Sequence, residues 1–443
     1  MSILPKTPTP LSVADFGNRL VRLEPGTRVG IAFSGGPDSL ALLILAAQWA
    51  ARSKNRTIIA FTVDHGLRTE AAAEARHCAR IAKSLGVTHR ILHWHGDKPE
   101  SGIQAAARQA RYALLEEACV HEKLDSLLVA HHLEDQAETF LLRLARGSGV
   151  DGLAGMAASR QLHDAQGAPS VRLLRPLLDV PRASLRAVVV KSGLKAIEDP
   201  SNENPKFDRV KVRQMAQALS SLGLSAQRLA DTASNMARAR EALEAQTDTF
   251  FQSDSKLRDT GCIEIDARAF LALPQEIALR VLAEALRHVG ASDYPPRFDA
   301  LMGVYNELKA GKLGRGRTLN GCKLAAQGQG LIVLRELSAA LKAPDLILEG
   351  GARRGVWDGR FIVTLLKSPG RSGSLAVRAL GLQAVRELVA SGQTLPEGPK
   401  ASFPALPGLW RGDKLVAAPS FGIADQGYLF EVEIHASGRF GRS

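Results

Sequence analysis

A glycine turn between a short apolar strand and an apolar helix, within residues 27–45, constrains this chain more than any other feature. Residues 29–33 form an apolar run rich in β-forming side chains, which predicts a buried strand. Residues 40–51 contain no Gly or Pro and are rich in Leu and Ala, which predicts a buried helix. The sequence SGGPDS connects the two, and its residues are Ser34, Gly35, Gly36, Pro37, Asp38 and Ser39.

This turn has the chemistry of a phosphate site. Two adjacent glycines leave backbone N–H groups open to an oxyanion, and the start of a helix adds unpaired N–H groups and a positive dipole end. Ser34 and Ser39 supply hydroxyl donors, and Pro37 fits the first helical turn. Because the carboxylate of Asp38 repels bare phosphate, its presence predicts a Mg²⁺ ion between Asp38 and the phosphates of a nucleotide.

An ordinary strand-to-helix connection, capped by Ser or Asp, is the alternative interpretation of the same turn. A lone Gly-Gly pair favours that alternative, whereas SGGxDS between two apolar elements favours nucleotide binding. The turn contains no lysine and matches neither the Walker A nor the GxGxxG pattern. It resembles the PP-loop of the ATP pyrophosphatase superfamily, whose members cleave ATP between its α and β phosphates, and this resemblance implies ATP as cofactor.

Composition narrows the class of protein. The 443 residues carry a formal net charge of +12, which favours a polyanionic partner such as nucleic acid over simple solubility charge. The four cysteines are far apart with no CxxC pair, which argues against a zinc site, an iron–sulfur site and a disulfide framework. With no signal peptide and no apolar run of about eighteen residues, we expect a cytoplasmic protein that does not enter a membrane.

The first half of the chain alternates buried strands with helices. Strands are predicted over residues 29–33, 57–64, 89–94 and 126–130, and helices over 11–23, 40–51, 71–85, 103–124 and 131–146. This alternation predicts an α/β fold with a doubly wound parallel sheet. Ligands of such sheets bind beyond the carboxyl ends of the strands, where the turns 34–39, 64–68 and 131–138 fall, so Asp64 and His65 join the candidates for nucleotide binding.

A second cluster of chemistry follows the strand at 126–130. His132, Asp135 and Glu138 recur at a spacing of three and so lie near one face of a helix. The cluster can hold Mg²⁺, bind an ammonium group or perform acid–base catalysis. Acidic residues in a first helical turn also complement the helix dipole, and for Glu134 alone we prefer that interpretation.

Arg108 and Arg111 are three residues apart on a predicted helix, with Tyr112 next to them. Adjacent guanidinium groups can hold a phosphate or a carboxylate bidentately. A solvated helix face is the alternative interpretation, and the residues alone do not decide between the two.

The second half of the chain predicts RNA contacts. We expect a catalytic domain over 1–213, a mainly helical domain over 214–340 and a small α+β domain over 350–436, with a linker at 343–355. A glycine-spaced basic loop is predicted to lie along tRNA phosphates, with a mobile hairpin as the alternative; its cations are Lys309, Lys312, Arg315, Arg317 and Lys323. Arg411 is a further RNA-contact candidate, whereas its neighbour Trp410 is as readily a core residue.

Several motifs together resemble one family. These are SGGxDS, VDHGLR at residues 63–68, ARQARY at 107–112, HxxDQxET at 132–139, RGSGxxGL at 146–153, LLRPLL at 173–178 and IEDxSN at 197–202. The set is similar to that of the tRNA(Ile)-lysidine synthases, strongly over residues 28–213 and more weakly beyond. One departure is Val210, which stands where the family usually has asparagine, although the arginine spacing of Arg209 and Arg213 is kept.

The resemblance implies a function and a role for each candidate residue. The enzyme would ligate free lysine to C2 of the wobble cytidine of a tRNA(Ile) with a CAU anticodon, through an adenylated cytidine, and release pyrophosphate and AMP. Codon reading would change from AUG to AUA, and charging from methionine to isoleucine. The PP-loop, Asp64, His65 and His132 would bind ATP, with Asp38 at the metal.

The resemblance also implies substrate contacts. Asp135 and Glu138 would hold the ammonium groups of lysine or deprotonate its ε-amine, and which of them is the base stays open. Arg108 and Arg111 would face the lysine carboxylate or a phosphate, and Arg209 and Arg213 the AMP phosphate or tRNA. The rival functions are a tRNA thiolase, which would need cysteines or an iron–sulfur site, and a nucleotide-dependent RNA-binding protein without ligase chemistry. The sequence does not decide whether the chain forms a homodimer.

Overall fold

The computed structural model divides the chain into two compact units, Met1–Arg240 and Glu241–Ser443. The structure describes residues 8–66, 71–96, 98–99, 102–163, 169–197, 208–292, 294–314, 316–328, 330–348, 353–368 and 374–435. Leu67 and Arg68 of the VDHGLR motif, Arg315 of the basic loop and most of the IEDxSN motif fall outside these ranges.

Unit 1 is built on a mostly parallel sheet. Its strands are β1 (Arg28–Ala32), β2 (Thr57–Asp64), β3 (Thr88–His93), β4 (Ser126–Leu128), β5 (Ser159–His163) and β6 (Pro169–Leu174). Its helices are α1 (Val13–Leu23), α2 (Pro37–Ala50), α3 (Ala71–Ser84), α4 (Ile103–His121), α5 (Leu133–Leu144), α6 (Val150–Leu153), α7 (Arg182–Ser192) and α8 (Asp208–Ser221), and α9 (Ala226–Asp254) follows.

The sheet has six strands in the order β3-β2-β1-β4-β6-β5. The first five in that order run parallel, and only the edge strand β5 pairs antiparallel, with β6. The predicted α/β fold class is confirmed. The four strands predicted from the sequence lie within two residues of the observed bounds at each end, whereas β5 and β6 extend the sheet by two strands that the sequence analysis did not predict.

Two apolar layers hold this sheet between helices. One face packs against α2, which is buried along almost its whole length, together with residues of α1, α3 and α7. The other face packs against α4 through Leu115 and Cys119. Because both faces of the sheet are covered, its polar groups are concentrated at the carboxyl ends of the strands, where the loops carry the candidate site residues.

Unit 2 carries antiparallel sheets. A five-stranded sheet has the order β7-β8-β11-β10-β9, a second five-stranded sheet the order β12-β15-β16-β17-β18, and a three-stranded sheet the order β13-β14-β19. The strands are β7 (Ser255–Leu257), β8 (Ile263–Asp266), β9 (Arg317–Leu319), β10 (Cys322–Gln327), β11 (Gly330–Arg335), β12 (Leu346–Leu348), β13 (Arg354–Trp357), β14 (Phe361–Lys367), β15 (Leu375–Ala379), β16 (Pro407–Arg411), β17 (Lys414–Ala418), β18 (Ile423–Ala424) and β19 (Leu429–Ile434).

The helices of unit 2 lie against these sheets. They are α10 (Ala267–Ala272), α11 (Gln275–Val289), α12 (Phe298–Lys309), α13 (Leu337–Ala340) and α14 (Gly381–Ala390), with short 3-10 helices at Lys400–Ala405 and Pro419–Phe421. The sequence predicts helices at residues 274–288, 296–308 and 382–390, and α11, α12 and α14 are found there. Across the described ranges, we find no helix with the length and apolarity that a membrane span requires.

Three features of unit 2 differ from the sequence-based expectation. The segment expected to be mainly helical also supplies the five strands of the first sheet. The expected linker at 343–355 contains β12 and the start of β13. The expected basic loop is the end of α12, a turn, the edge strand β9 and the start of β10. Each of these strands has only three to six residues, too short for a clear alternation of apolar and polar side chains.

Candidate ATP and substrate site

The PP-loop joins β1 to α2 in a conformation that requires glycine at one position. Gly35 has φ +83°, and a Cβ there would lie 2.4 Å from Ile197 Cδ1 and 2.8 Å from Cys78 Sγ. The backbone N–H of Ile197 donates to the Gly35 carbonyl at 2.9 Å, so the start of the IEDxSN motif holds the loop. Gly36 differs, because a Cβ there would meet only Ser34 Oγ, at an ordinary 3.7 Å.

Hydrogen bonds of the loop leave its first helical turn open. The Ser39 hydroxyl donates to the Gly36 carbonyl at 2.9 Å and lies 3.2 Å from the Ser34 hydroxyl. Pro37 occupies the first position of α2 after Gly36, its N-cap. The N–H groups of this first turn have no partner within the helix, and they point outward from the end of the helix with its positive dipole. The geometry is that of an anion site at a helix N-terminus.

His132, at the start of α5, is surrounded by three carboxylates. Its Nε2 lies 3.5 Å from Asp38 Oδ2 and 3.6 Å from Asp135 Oδ2, and its Nδ1 lies 3.0 Å from Glu134 Oε2. The His132 backbone N–H also donates to Asp135 Oδ2 at 3.0 Å. The structure therefore joins the PP-loop to the His132 cluster, two elements that the sequence analysis predicted separately.

The charges of this cluster depend on one another. Burial by itself lowers the pKa of His132, but its hydrogen bonds with Asp38 and Glu134 and the charge of Asp135 outweigh burial and raise that pKa to about 10. Burial by itself raises the pKa of Asp38 and of Glu134, and His132 reverses the direction, so that both pKa values are lowered. His132 is therefore an imidazolium ion at neutral pH, between ionised carboxylates.

Arg182, at the start of α7, is a site residue that the sequence analysis missed. Its Nε lies 3.7 Å from Asp38 Oδ1, and its backbone N–H donates to Glu134 Oε2 at 2.9 Å. Glu134 thus has a structural role, as an acceptor for the start of a neighbouring helix. The sequence offered little signal for Arg182, because one arginine after a proline is common on protein surfaces.

Arg213 on α8 binds the carboxylate of Glu138. Its Nε donates to Glu138 Oε1 at 2.5 Å and its Nη2 to Oε2 at 3.2 Å, while Nη2 lies 4.0 Å from Asp135 Oδ1. The hydrogen bond with Glu138 raises the pKa of Arg213. Val210, the departure from the family pattern, is buried on the same helix, whereas the side chain of Arg209 lies outside the described residues.

The carboxyl end of β2 contributes a second group of candidates. Asp64 accepts the Gly66 N–H at 2.8 Å through Oδ1, and its Oδ2 lies 3.7 Å from His93 Nδ1. Burial and the positive charge of Arg111 lower the pKa of His65. Arg111, in the middle of α4, and His65 are therefore close enough to interact at the carboxyl end of β2.

Arg108 and Arg111 both lie over the ring of Tyr112, at 5.1 and 5.3 Å from its centroid. This arrangement fixes the two cations beside one aromatic ring. Arg175 of the LLRPLL motif directly follows β6, and its side chain is buried near Tyr112.

In unit 2, the structure describes all but one of the candidate RNA contacts. Lys309, Lys312 and Lys323 are exposed around the turn between α12 and β10, and Arg317 on β9 forms an ion pair with Glu307. Arg411 is exposed at the end of β16 and bonds to the Tyr428 hydroxyl, while Trp410 is half-buried beneath Arg378. Their contact with RNA stays a prediction.

Comparison with known proteins agrees with this fold. Residues 12–219 match the family model of the PP-loop domain, so unit 1 is a PP-loop domain that uses ATP. The tRNA(Ile)-lysidine synthase of Ruegeria pomeroyi is 40% identical over 93% of this chain and 92% of its own length. Those of Wolbachia pipientis wMel and Rhodopseudomonas palustris are 36% and 43% identical, over 88% and 69% of this chain and 88% and 89% of their own lengths.

The chain belongs to the tRNA(Ile)-lysidine synthase family. The resemblance inferred from the motifs is thereby confirmed, and the thiolase alternative is not favoured. Family membership also supports the class of ATP-dependent ligases.

The variants Gly35→Ala and Gly36→Ala test two properties of the PP-loop separately, its backbone conformation and its contact with ATP. Gly35→Ala should destabilise unit 1 by roughly 1–3 kcal/mol, because it combines a left-handed backbone with a clash against Ile197. Gly36→Ala should leave the melting temperature nearly unchanged but weaken ATP binding, because its methyl group meets the incoming phosphates. Thermal unfolding and ATP titration of both variants measure these effects, and equal destabilisation by the two would contradict the description of the loop.

The charge of His132 should make stability depend on pH. Because its pKa is raised to about 10 from an ordinary value near 6.5, its stabilising contribution is complete below pH 6.5 and disappears as pH rises towards 10. His132→Gln should therefore cost roughly 3 kcal/mol at pH 6 and much less at pH 10. Urea unfolding of both proteins at the two pH values measures the difference, and a cost independent of pH would exclude a charged His132.

Proposed function

We propose that this chain joins lysine to C2 of the wobble cytidine of a tRNA(Ile) with a CAU anticodon, using ATP, to form lysidine. Lysidine formation on tRNA(Ile) is the activity for which its family is named, and family membership supports it. The single observation that carries the residue-level proposal is the direct junction of the PP-loop with the His132 cluster, at 3.5 Å between His132 and Asp38.

In the first step, the cytosine O2 attacks the α-phosphate of ATP, the bond to the β-phosphate breaks, and pyrophosphate leaves. Gly35 and Gly36 let the loop approach the phosphates, and the first-turn N–H groups of α2 stabilise the charge that develops on the leaving pyrophosphate. His132 and Arg182 are cations next to the Asp38 carboxylate. Their positive charges reduce the repulsion between Asp38 and the phosphates of ATP.

A Mg²⁺ ion fits Asp38 as a carboxylate shared with the phosphates of ATP. Asp38 Oδ1 is buried and makes no hydrogen bond, and its nearest cation, Arg182 Nε, is 3.7 Å away, so its lone pairs are available to a metal ion. No group of three His, Cys, Asp or Glu residues in the described ranges can hold a metal ion. This agrees with the preference of Mg²⁺ for one or two carboxylates combined with phosphate oxygens. When bound, the ion would neutralise charge on the phosphates.

In the second step, the ε-amine of lysine attacks C2, the C2–O2 bond breaks, and AMP leaves with that oxygen. The amine must lose a proton, so a carboxylate beside it is needed. We assign the base to Asp135, because Glu138 already binds Arg213 with both oxygens. Glu138 then positions Arg213, whose guanidinium is free to turn one N–H towards the phosphate of the departing AMP.

The other contacts follow from charge. The exposed cations Lys309, Lys312, Arg317, Lys323 and Arg411 suit RNA phosphates, and the net charge of +12 favours their approach. Arg108 and Arg111 would receive the lysine carboxylate or a phosphate. Since free lysine, ATP and tRNA meet in the cytoplasm, we place the reaction there.

Variants of the three carboxylates test this division of roles. Purified protein is mixed with ATP, Mg²⁺ and tRNA(Ile) bearing CAU, and pyrophosphate release is measured before labelled lysine is added. Asp38→Asn should lower pyrophosphate release roughly 100-fold. Asp135→Asn should keep pyrophosphate release and lower lysine transfer roughly 100-fold, whereas Glu138→Gln should affect both steps through Arg213.

Asp413→Asn is the matched control, because it removes a fully exposed carboxylate in unit 2 and should leave both steps unchanged. Full pyrophosphate release by Asp38→Asn would overturn the proposed role of Asp38. Normal lysine transfer by Asp135→Asn would remove Asp135 as the base.

A further inference from the structure

We propose that Arg175, Tyr112 and Arg108 form a binding site for one backbone phosphate of the tRNA, separate from the PP-loop. The inference rests on the proposed function, because it identifies a contact to the RNA substrate of that same reaction. The observations that carry it are two buried hydrogen-bond donors without partners and a group of cations without carboxylates.

Arg175 is buried with part of its guanidinium unused. Arg175 is 7% exposed, and its Nη1 donates to the Ala157 carbonyl at 2.8 Å. Its Nε is buried and makes no hydrogen bond. A buried charged donor without an acceptor is costly for a folded protein. An anion that accepts from this N–H group removes that cost when it binds.

Tyr112 presents a second buried donor at the same place. Its hydroxyl is buried near the Arg175 guanidinium, with which it interacts as a hydrogen-bond partner, and its own proton has no acceptor among the described residues. Arg108 lies over its ring at 5.1 Å. Burial lowers the pKa of Arg175, Tyr112 partly opposes this, and the charges of Arg160 and Arg108 lower that pKa further. Arg108 and Arg160 are therefore each near enough to Arg175 to repel its charge.

No carboxylate in the described part of the chain forms an ion pair with Arg108, Arg160 or Arg175. By contrast, the half-buried Arg213 has an acidic partner in Glu138. Three neighbouring cations that have no acid between them form a site for an anion from outside the chain.

The position of Arg175 places this anion at the reaction edge but away from the PP-loop. Arg175 directly follows β6, as Ser34 follows β1 after Phe33, and the strands are parallel with β4 between them. Neighbouring strands are about 4.8 Å apart, so the two strand ends are about 10 Å apart. The PP-loop also opens a helix on one face of the sheet, whereas Tyr112 belongs to the layer on the other face.

An RNA phosphate fits this site better than the lysine carboxylate. Arg108 and Arg160 are exposed and lie near the buried Arg175, which suits a charged chain that continues past the buried contact. A free lysine carboxylate is a single isolated charge, whereas the phosphates on either side of a bound RNA phosphate supply further negative charge for the exposed Arg108 and Arg160. Arg and Tyr side chains with phosphate oxygens are also ordinary backbone contacts of nucleic-acid-binding proteins.

A scan of neutral phosphates tests the site in the unaltered protein. A methylphosphonate, which removes one backbone charge, is placed in turn at each phosphate of the anticodon loop of tRNA(Ile). At one position, the methylphosphonate should weaken binding to the wild-type protein about tenfold. The Arg175→Gln variant should bind that modified RNA and the unmodified RNA equally well, because the variant has already lost the contact. The salt dependence of log Kd should fall by about one unit in that variant.

Tyr112→Phe removes only the hydroxyl and should weaken tRNA binding severalfold, with KM for lysine and ATP unchanged.

Arg52→Gln, which removes an exposed arginine after α2, is the matched control and should show no coupling to any single phosphate. Arg175→Lys, which keeps the charge without Nε, should retain the salt slope and lose part of the affinity, which separates phosphate binding from a folding defect.

Two outcomes would overturn the inference. One is the absence of any phosphate whose neutralisation is coupled to Arg175, and the other is a rise in KM for lysine with unchanged tRNA binding, which would assign the site to the lysine carboxylate. If wild-type protein releases no pyrophosphate with this tRNA, the proposed function fails as well. If wild-type protein modifies the tRNA but no coupling is found, only the phosphate site fails.

Discussion

The charged imidazole of His132 is the interaction on which the rest of the site depends. It lies between Asp38, Glu134 and Asp135, three carboxylates from two elements, at distances of 3.0–3.6 Å. Without its charge, these carboxylates would repel one another in a partly buried environment. With it, Asp38 stays ionised at the start of α2, and the PP-loop is fixed to the start of α5.

This arrangement reconciles two opposite requirements of the reaction. Phosphate chemistry needs cations and N–H groups, whereas an attacking amine needs a carboxylate as its base. The sheet separates them along its carboxyl edge. The N–H groups of α2 lie after β1, and the candidate bases Asp135 and Glu138 lie after β4. Arg108 and Arg111 lie on α4, and Arg175 directly follows β6. Arg213 and Arg182, from two later helices, add positive charge next to the carboxylates.

Much of unit 1 was predictable because its signals are local. The apolar runs of β1 and β2 and the SGGxDS turn between β1 and α2 need no knowledge of the rest of the chain. The Arg213–Glu138 pair was not predictable, because 75 residues separate its members and no local sequence pattern connects them. Arg182 was missed for the same reason.

The remaining differences also have physical causes. β5 is a short edge strand with mostly polar residues, and β6 is an interior strand of only six residues that begins with Pro and Ser, so neither has a clear strand pattern in the sequence. In unit 2, strands of two to seven residues bury one face each and depend on partners far along the chain, as β8 does on β11. Sequence periodicity over so few residues cannot distinguish such strands from turns. The burial of Arg175 is likewise a property of the assembled sheet and not of its motif.

The central claim is that one edge of this sheet activates a cytidine with ATP and then transfers lysine to it. The most direct measurement is the mass of the wobble nucleoside after the full chain has acted on tRNA(Ile) with a CAU anticodon, in the presence of ATP, Mg²⁺ and lysine. We expect cytidine to gain the mass of one lysine less one water, and elongator methionine tRNA with the same anticodon to stay unmodified. Unchanged cytidine in tRNA(Ile), despite pyrophosphate release, would contradict the account.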